Sequence, residues 1–359
     1  MALQAGLFGI TNSNRNFTLP EHWGKNKFNS SFPVALACYM FHQSLQPVYL
    51  HVNPMHSVVQ GYVSVQTLFG LEPLQPTIHF SFEQPFAPYN PFVIETTPRV
   101  DVVIQDLSTP LRDSIRALEI KLTALPDNTT CALGEEWYGS ELVVRPDTIV
   151  YVCLSIANWY GTHEDRAVLH QQLAPICQNI ADWTDVALVK ARLPDLLQGV
   201  RALIETHYHL QIPLLMQPVW KTQGKSSILA DDCFDIFVWS NLAIAQLMVE
   251  EAGSDQRPDT FKRIGRSVVW LVKMLWDFAL SGKINYRAIL DQLSYDTKND
   301  KAFAMSGRRT HHYMACRELT RPRIHKTAVS HIILGNGQQF LSPERRLDAI
   351  LVNSPDLFI

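Results

Sequence analysis

The sequence has no stretch able to cross a bilayer. Its most apolar segment, Ser267 to Leu280, is interrupted by Lys273 and Asp277, short of the ~20 consecutive apolar residues a spanning helix needs. The opening residues, MALQAGLFGITNSNRN, lack the basic region and apolar segment of a secretory signal, so a cytoplasmic, non-membrane protein is expected. Cysteines are few: six in 359 residues, scattered at 38, 131, 153, 177, 233 and 316 with no CxxC pair. That usage fits reduced, buried thiols better than a disulfide frame or a zinc site. His311-His312 with Cys316 lacks a fourth ligand at finger spacing. Gly224-Lys225-Ser226 ends like a phosphate loop, but Val219 stands where its first glycine belongs, which argues against a nucleotide cofactor. No internal repeat or low-complexity linker marks a domain boundary.

With 47% hydrophobic and 18% charged residues, the chain has the composition of a globular protein with a sizeable core. Its charge is unevenly placed. The whole chain carries -3, yet between Lys298 and Lys326 eight cations face two anions. A basic segment inside an otherwise acidic chain is the pattern of a localised phosphate-binding surface.

Periodicity organises the rest. Ser30 and Ser31 followed by Phe32-Pro33 and VALACYMF predict a capped helix. Six prolines between Glu72 and Pro98 predict irregular or edge structure. Arg99 to Leu107 and Ala117 to Thr123 read as strands of interleaved apolar and polar residues. Thr148 to Ile156, uninterruptedly apolar, reads as a third strand buried on both faces. Helical spacing follows over Glu164 to Trp183, Leu193 to Tyr208, Phe237 to Ala252 and Thr260 to Leu280, with a hairpin around Gln217 to Ile228. Ser342-Pro343-Glu344 opens a last helix through Val352. Pro-Asp pairs at 126, 146, 194, 258 and 355 look like turns and helix starts. The expected architecture is one elaborated α/β domain over residues 1–359, its core and active site at about 30–160 and a helical, DNA-reading part at about 161–359.

One constellation carries chemistry: Asp101, then Glu119-Ile120-Lys121 on the next predicted strand. Alternation along a strand puts Glu119 and Lys121 on one face. If the two strands are neighbours, two carboxylates and an ammonium converge. Two carboxylates suit Mg2+, a hard cation that takes oxygen ligands and keeps waters. The metal activates a water for phosphodiester attack, and a lysine beside it orients that water and stabilises the transition state. Glu119-Ile120-Lys121 is the single Glu-x-Lys of the chain; Asp296-Thr297-Lys298 lies in a polar stretch without strand pattern. The plain alternative is a surface strand with a cross-strand ion pair.

These residues match the PD-(D/E)xK nuclease signature, and RVDVVIQDL, ALEIKLTALPD and the amino-terminal GKNKFNSSFPVALACYM resemble the type II restriction endonucleases of the HindVP group. The resemblance spans most of the chain. It implies a mixed central sheet flanked by helices and a Mg2+-dependent endonuclease that cuts both strands of a short palindrome of the form GRCGYC. It also implies a homodimer acting on double-stranded DNA beside a protective methyltransferase. One departure stands out: Val100, not proline, precedes Asp101, and Pro98 lies three residues back.

For reading DNA, the basic segment offers Arg308, Arg309, Arg321 and Arg323 on turn-like sequence, with Lys298, Lys301 and Lys326 beside them. Arginine's fork pairs with guanine O6 and N7, while lysines serve phosphates. Lys25, Asn26, Lys27 and Asn29 form a lesser candidate group, as do Lys221 and Lys225. The rival readings are a structure-selective repair or recombination nuclease and a non-catalytic DNA-binding regulator.

Overall fold

The computed structural model describes residues 48–52, 58–73, 75–108, 113–120, 142–162, 164–207, 214–216, 220–223, 226–229, 232–233, 236–238, 241–253, 261–297, 301–305 and 324–325, with isolated positions 34, 41, 44 and 46. The helices expected after Ser30 and from Ser342 lie outside these, Val34 being described as helical.

A three-stranded sheet positions the candidate site. Its order is β3 (Ile78–Pro85), β4 (Arg99–Asp106) and β5 (Asp113–Leu118), antiparallel throughout. The proline-rich stretch thus supplies an edge strand, ending at Pro85 where no further ladder bond is needed, and a 3-10 turn, Ala87–Phe92. Between β4 and β5 the register shifts after Ile104, leaving Ile115 as the extra, exposed residue of a bulge. One face of the sheet meets α1 (Val65–Phe69): the Phe69 and Phe80 rings lie 5.4 Å apart. Arg116, on the same face as Phe80 and Ile104, donates to the carbonyls of Thr67 and Leu68 at 2.6 and 2.9 Å. It thereby satisfies carbonyls at the end of a helix.

The other face meets α2 (Pro146–Thr162). This corrects the strand expected over Thr148 to Ile156. Every residue from Thr148 to Ala157 except Ser155 is buried, and a helix enclosed on nearly all sides loses its polar stripe and with it the 3.6-residue period. An apolar run then looks alike as strand or helix, and only its length and the Pro146-Asp147 start distinguish them. Three further helices follow close to expectation: α3 (Arg166–Cys177), α4 (Val186–Thr206) and, after an intervening strand region, α5 (Asn241–Gly253). Pro194-Asp195 is no helix start. It sits within α4, whose true beginning is Asp185, its carboxylate accepting from the Ala187 and Leu188 N–H groups.

At the centre is α6 (Arg263–Ser281), buried from Ile264 to Ala279 apart from Lys273 and Asp277 and packed on α2, α3, α4, α5 and α7 (Tyr286–Gln292). The core runs continuously from Phe86 to Phe303. Arg266, fully enclosed over the Trp270 ring, donates to the carbonyls of Thr297 and Lys301 at 2.7 and 2.8 Å. Cys153 and Cys177 are free and buried as expected; burial pushes both thiols up, Cys177 to about 12. No described helix is long and apolar enough to cross a membrane.

The remaining strands are short. β1 (Val48–Val52), β2 (Val58–Tyr62), β7 (Leu214–Met216) and β11 (Ile236–Val238) form one sheet, and β8 (Trp220–Gln223) with β9 (Ser226–Leu229) is the expected hairpin. β6 (Leu142–Val144) pairs with β12 (Phe303–Met305), and β10 (Asp232–Cys233) with β13 (Ile324–His325). Every pairing among the described strands is antiparallel, where the resemblance implied a mixed sheet.

Candidate active site

Neighbouring strands bring Asp101 and Glu119 together. The last paired positions of β4 and β5 are Val102 and Leu118. Asp101 and Glu119 are the next residues beyond that pair. The ladder itself stops there. In place of a main-chain acceptor, the Asp101 carboxylate takes the Ile120 N–H at 2.6 Å. Its head group is therefore turned onto the Glu119-Ile120 segment, not away from it. β5 is shorter at this end than the sequence suggests, because a side chain replaces the ladder, and longer at its start, reaching back to Asp113.

Glu119 is 7% exposed, and Asp101 is half-buried. An enclosed carboxylate needs hydrogen-bond donors. Thr148, in the first turn of α2 and itself 2% exposed, donates its hydroxyl to Glu119 Oε1 at 2.9 Å. One helical turn on, the Tyr151 hydroxyl donates to the Pro98 carbonyl at 2.7 Å and accepts the Phe86 N–H at 3.3 Å. It clamps the entry of β4 to the exit of β3. Burial raises the Tyr151 pKa, and the negative charges of Glu119, Asp147 and Asp101 raise it further. Three acidic groups thus share the field around one enclosed hydroxyl. Thr148 and Tyr151 lie three residues apart and so on one face of α2. The sequence signals the start of this helix at Pro146-Asp147, but a strand reading of the next nine residues hides that face.

A carboxylate on β4 and one just past the end of β5 are hard oxygen donors of the kind Mg2+ takes. Among the described residues no group of three His, Cys, Asp or Glu is gathered for a metal. Lys121 lies outside the described residues, immediately beyond Ile120.

Residues 23–358 match the HindVP restriction endonuclease family. The chain belongs to that family. The type II restriction enzyme HgiDI of Herpetosiphon aurantiacus is 46% identical over 355 residues, which cover 99% of this chain and 97% of HgiDI. The probable type II restriction enzyme HindVP of Haemophilus influenzae is 39% identical over 364 residues, covering 100% of this chain and 96% of that protein. No solved structure matches the chain.

In this HindVP-family chain, the basic segment is tied down at both ends. Its beginning is next to β12, which pairs with β6, the strand leading into α2; Ala302 N–H also donates to Val144 O at 2.8 Å. Its end includes β13, paired with β10. Lys301 is not a surface cation: at 1% exposure it is enclosed beside α6, and its place in the expected DNA-facing set is corrected on that ground. Lys221 falls in β8, across from Ile228. Lys298, Arg308, Arg309, Arg321, Arg323, Lys326, Lys25, Asn26, Lys27, Asn29 and Lys225 lie outside the described residues, as do His311, His312 and Cys316.

Proposed function

We propose that this chain is a Mg2+-dependent type II restriction endonuclease that hydrolyses both strands of double-stranded DNA within a short palindrome, at a centre made by Asp101, Glu119 and Lys121. The observation that carries the reading is the Asp101 carboxylate bound to the Ile120 N–H at 2.6 Å, one residue from Glu119. Family membership supports the enzyme class, and the hydrogen bond from the Ile120 N–H to the Asp101 carboxylate supports the site.

In this reading β4 and β5 belong to a PD-(D/E)xK core, with residues 161–359 as its helical and DNA-reading elaboration. Asp101 and Glu119 would hold the metal. When bound, Mg2+ supplies an activated water and neutralises charge gathering on the phosphate and the leaving oxygen. The protein's own part is placement. The Ile120 N–H fixes the Asp101 head group, and the Thr148 hydroxyl fixes Glu119, so both carboxylates are preorganised by the fold. Low exposure of Glu119 strengthens every electrostatic interaction it makes. Lys121, two residues after Glu119, orients the attacking water and offsets charge on the phosphate. The protein works in the cytoplasm as a homodimer, matching the two-fold symmetry of a palindrome, at a site of the GRCGYC type read by arginines of the 298–326 segment.

Incubating plasmid DNA with the purified protein tests this. Mg2+ should yield discrete fragments and EDTA none, and sequencing the fragment ends should return one palindrome. A smear of random nicks would favour a structure-selective nuclease, and no cleavage in any divalent metal would leave a non-catalytic DNA binder.

A further inference from the structure

We propose that Arg99 contacts the DNA backbone at this centre, holding a phosphate beside the one that is cut. The inference rests on the reading of Asp101 and Glu119 as the hydrolytic site.

Arg99 opens β4 two residues before Asp101 and so projects from the same face, about 7 Å away along the strand. That face passes from solvent into the core in three steps: Arg99 is exposed, Asp101 half-buried and Val103 buried. The guanidinium therefore stands at the open end of the row that contains the carboxylate. Asp101 follows Arg99 on the same face of β4. Yet among the described residues no carboxylate forms an ion pair with Arg99. Other nearby arginines are committed. Arg287 pairs with Glu95 at 2.7 Å, and Arg116 is spent on the carbonyls of Thr67 and Leu68.

The backbone under Arg99 is also unusually well held. Pro98 O accepts the Tyr151 hydroxyl, and Thr97 donates its hydroxyl to Asn90 Oδ1 at 2.5 Å. An exposed arginine on a fixed backbone, two residues from the Asp101 carboxylate and in no ion pair with a described carboxylate, is arranged to meet an anion arriving from outside. A phosphodiester fits that role: the guanidinium fork takes two phosphate oxygens at once. Such a contact positions the duplex without reading its sequence.

The test is the salt dependence of binding to a fluorescein-labelled duplex of mixed sequence, in Ca2+ to prevent cleavage. Arg99→Ala and Arg99→Gln should each lower the slope of log K against log salt by about 1. Arg192→Ala should leave it unchanged, because Arg192 pairs with Asp195 on α4, which holds none of the site residues. Slopes for both Arg99 variants equal to that of the parent protein, with circular dichroism unchanged, would overturn the proposal. The readout is independent of hydrolysis. If a Glu119→Gln variant still cut while the Arg99 slope fell, the assignment of the hydrolytic centre would fail and the DNA contact would stand.

Discussion

Replacing Thr148 by valine removes one hydroxyl and keeps the branched shape. The loss falls on Glu119 Oε1, which accepts that hydroxyl at 2.9 Å in a setting where the two residues are 2% and 7% exposed. A hydrogen bond to a charged group contributes about 1.5–3 kcal/mol, and an enclosed carboxylate left short of a donor carries its desolvation cost. Urea unfolding should therefore show Thr148→Val less stable by about that amount, with unchanged m-value. Glu119 would also lose its fixed position, and misplacement by about 1 Å lowers catalysis as much as 100-fold. Single-turnover cleavage of plasmid DNA should fall accordingly, while Thr148→Ser, which restores a donor, should recover most of both properties. A valine variant with the parent's urea midpoint and cleavage rate would refute the argument that α2 holds the site through this bond.

Two further substitutions probe the frame around the site. Tyr151→Phe leaves the Pro98 carbonyl and the Phe86 N–H without the hydroxyl that serves both, so equilibrium unfolding should report a loss of about 1–3 kcal/mol. Arg266→Met strips the donors from the Thr297 and Lys301 carbonyls at the entrance to the basic segment. Thermal unfolding should show a marked fall in midpoint, consistent with at least about 3 kcal/mol, and protease should cut more readily near residue 300.

β4 is legible because its opening residues alternate; β5 is legible only in part, since Ala117 and Leu118 alone belong both to the strand expected over Ala117 to Thr123 and to the observed Asp113–Leu118. In β4 the pattern of exposed Arg99, buried Val100 and half-buried Asp101 is the period-2 signature that sequence reading depends on. Strand parity does not reach Glu119 and Ile120, which lie past the end of β5, and the Asp101 carboxylate meets the main-chain N–H of Ile120. Helix α2 was illegible for the opposite reason: its burial on all sides erased the periodicity, and its Val and Ile residues favour strands when propensity alone is weighed. A strand over these residues would put Thr148 and Tyr151 on opposite faces, whereas the helix puts both on the face toward the site. Lys301 shows the limit of counting charges along a chain. A run of cations predicts a basic surface, but one member can turn inward beside a helix, as Lys301 does next to Arg266. Pro194-Asp195 has the look of a helix start, but the Asp185 cap and the apolar face of α4 carry the helix through it.

Lys121→Ala tests the proposed centre of Asp101, Glu119 and Lys121 with the least disturbance to the two carboxylates proposed to hold the metal. Single-turnover cleavage of plasmid DNA in Mg2+ should fall at least about 100-fold, while specific DNA binding in Ca2+ keeps the parent's affinity. Cleavage by Lys121→Ala at the parent's rate would contradict the assignment.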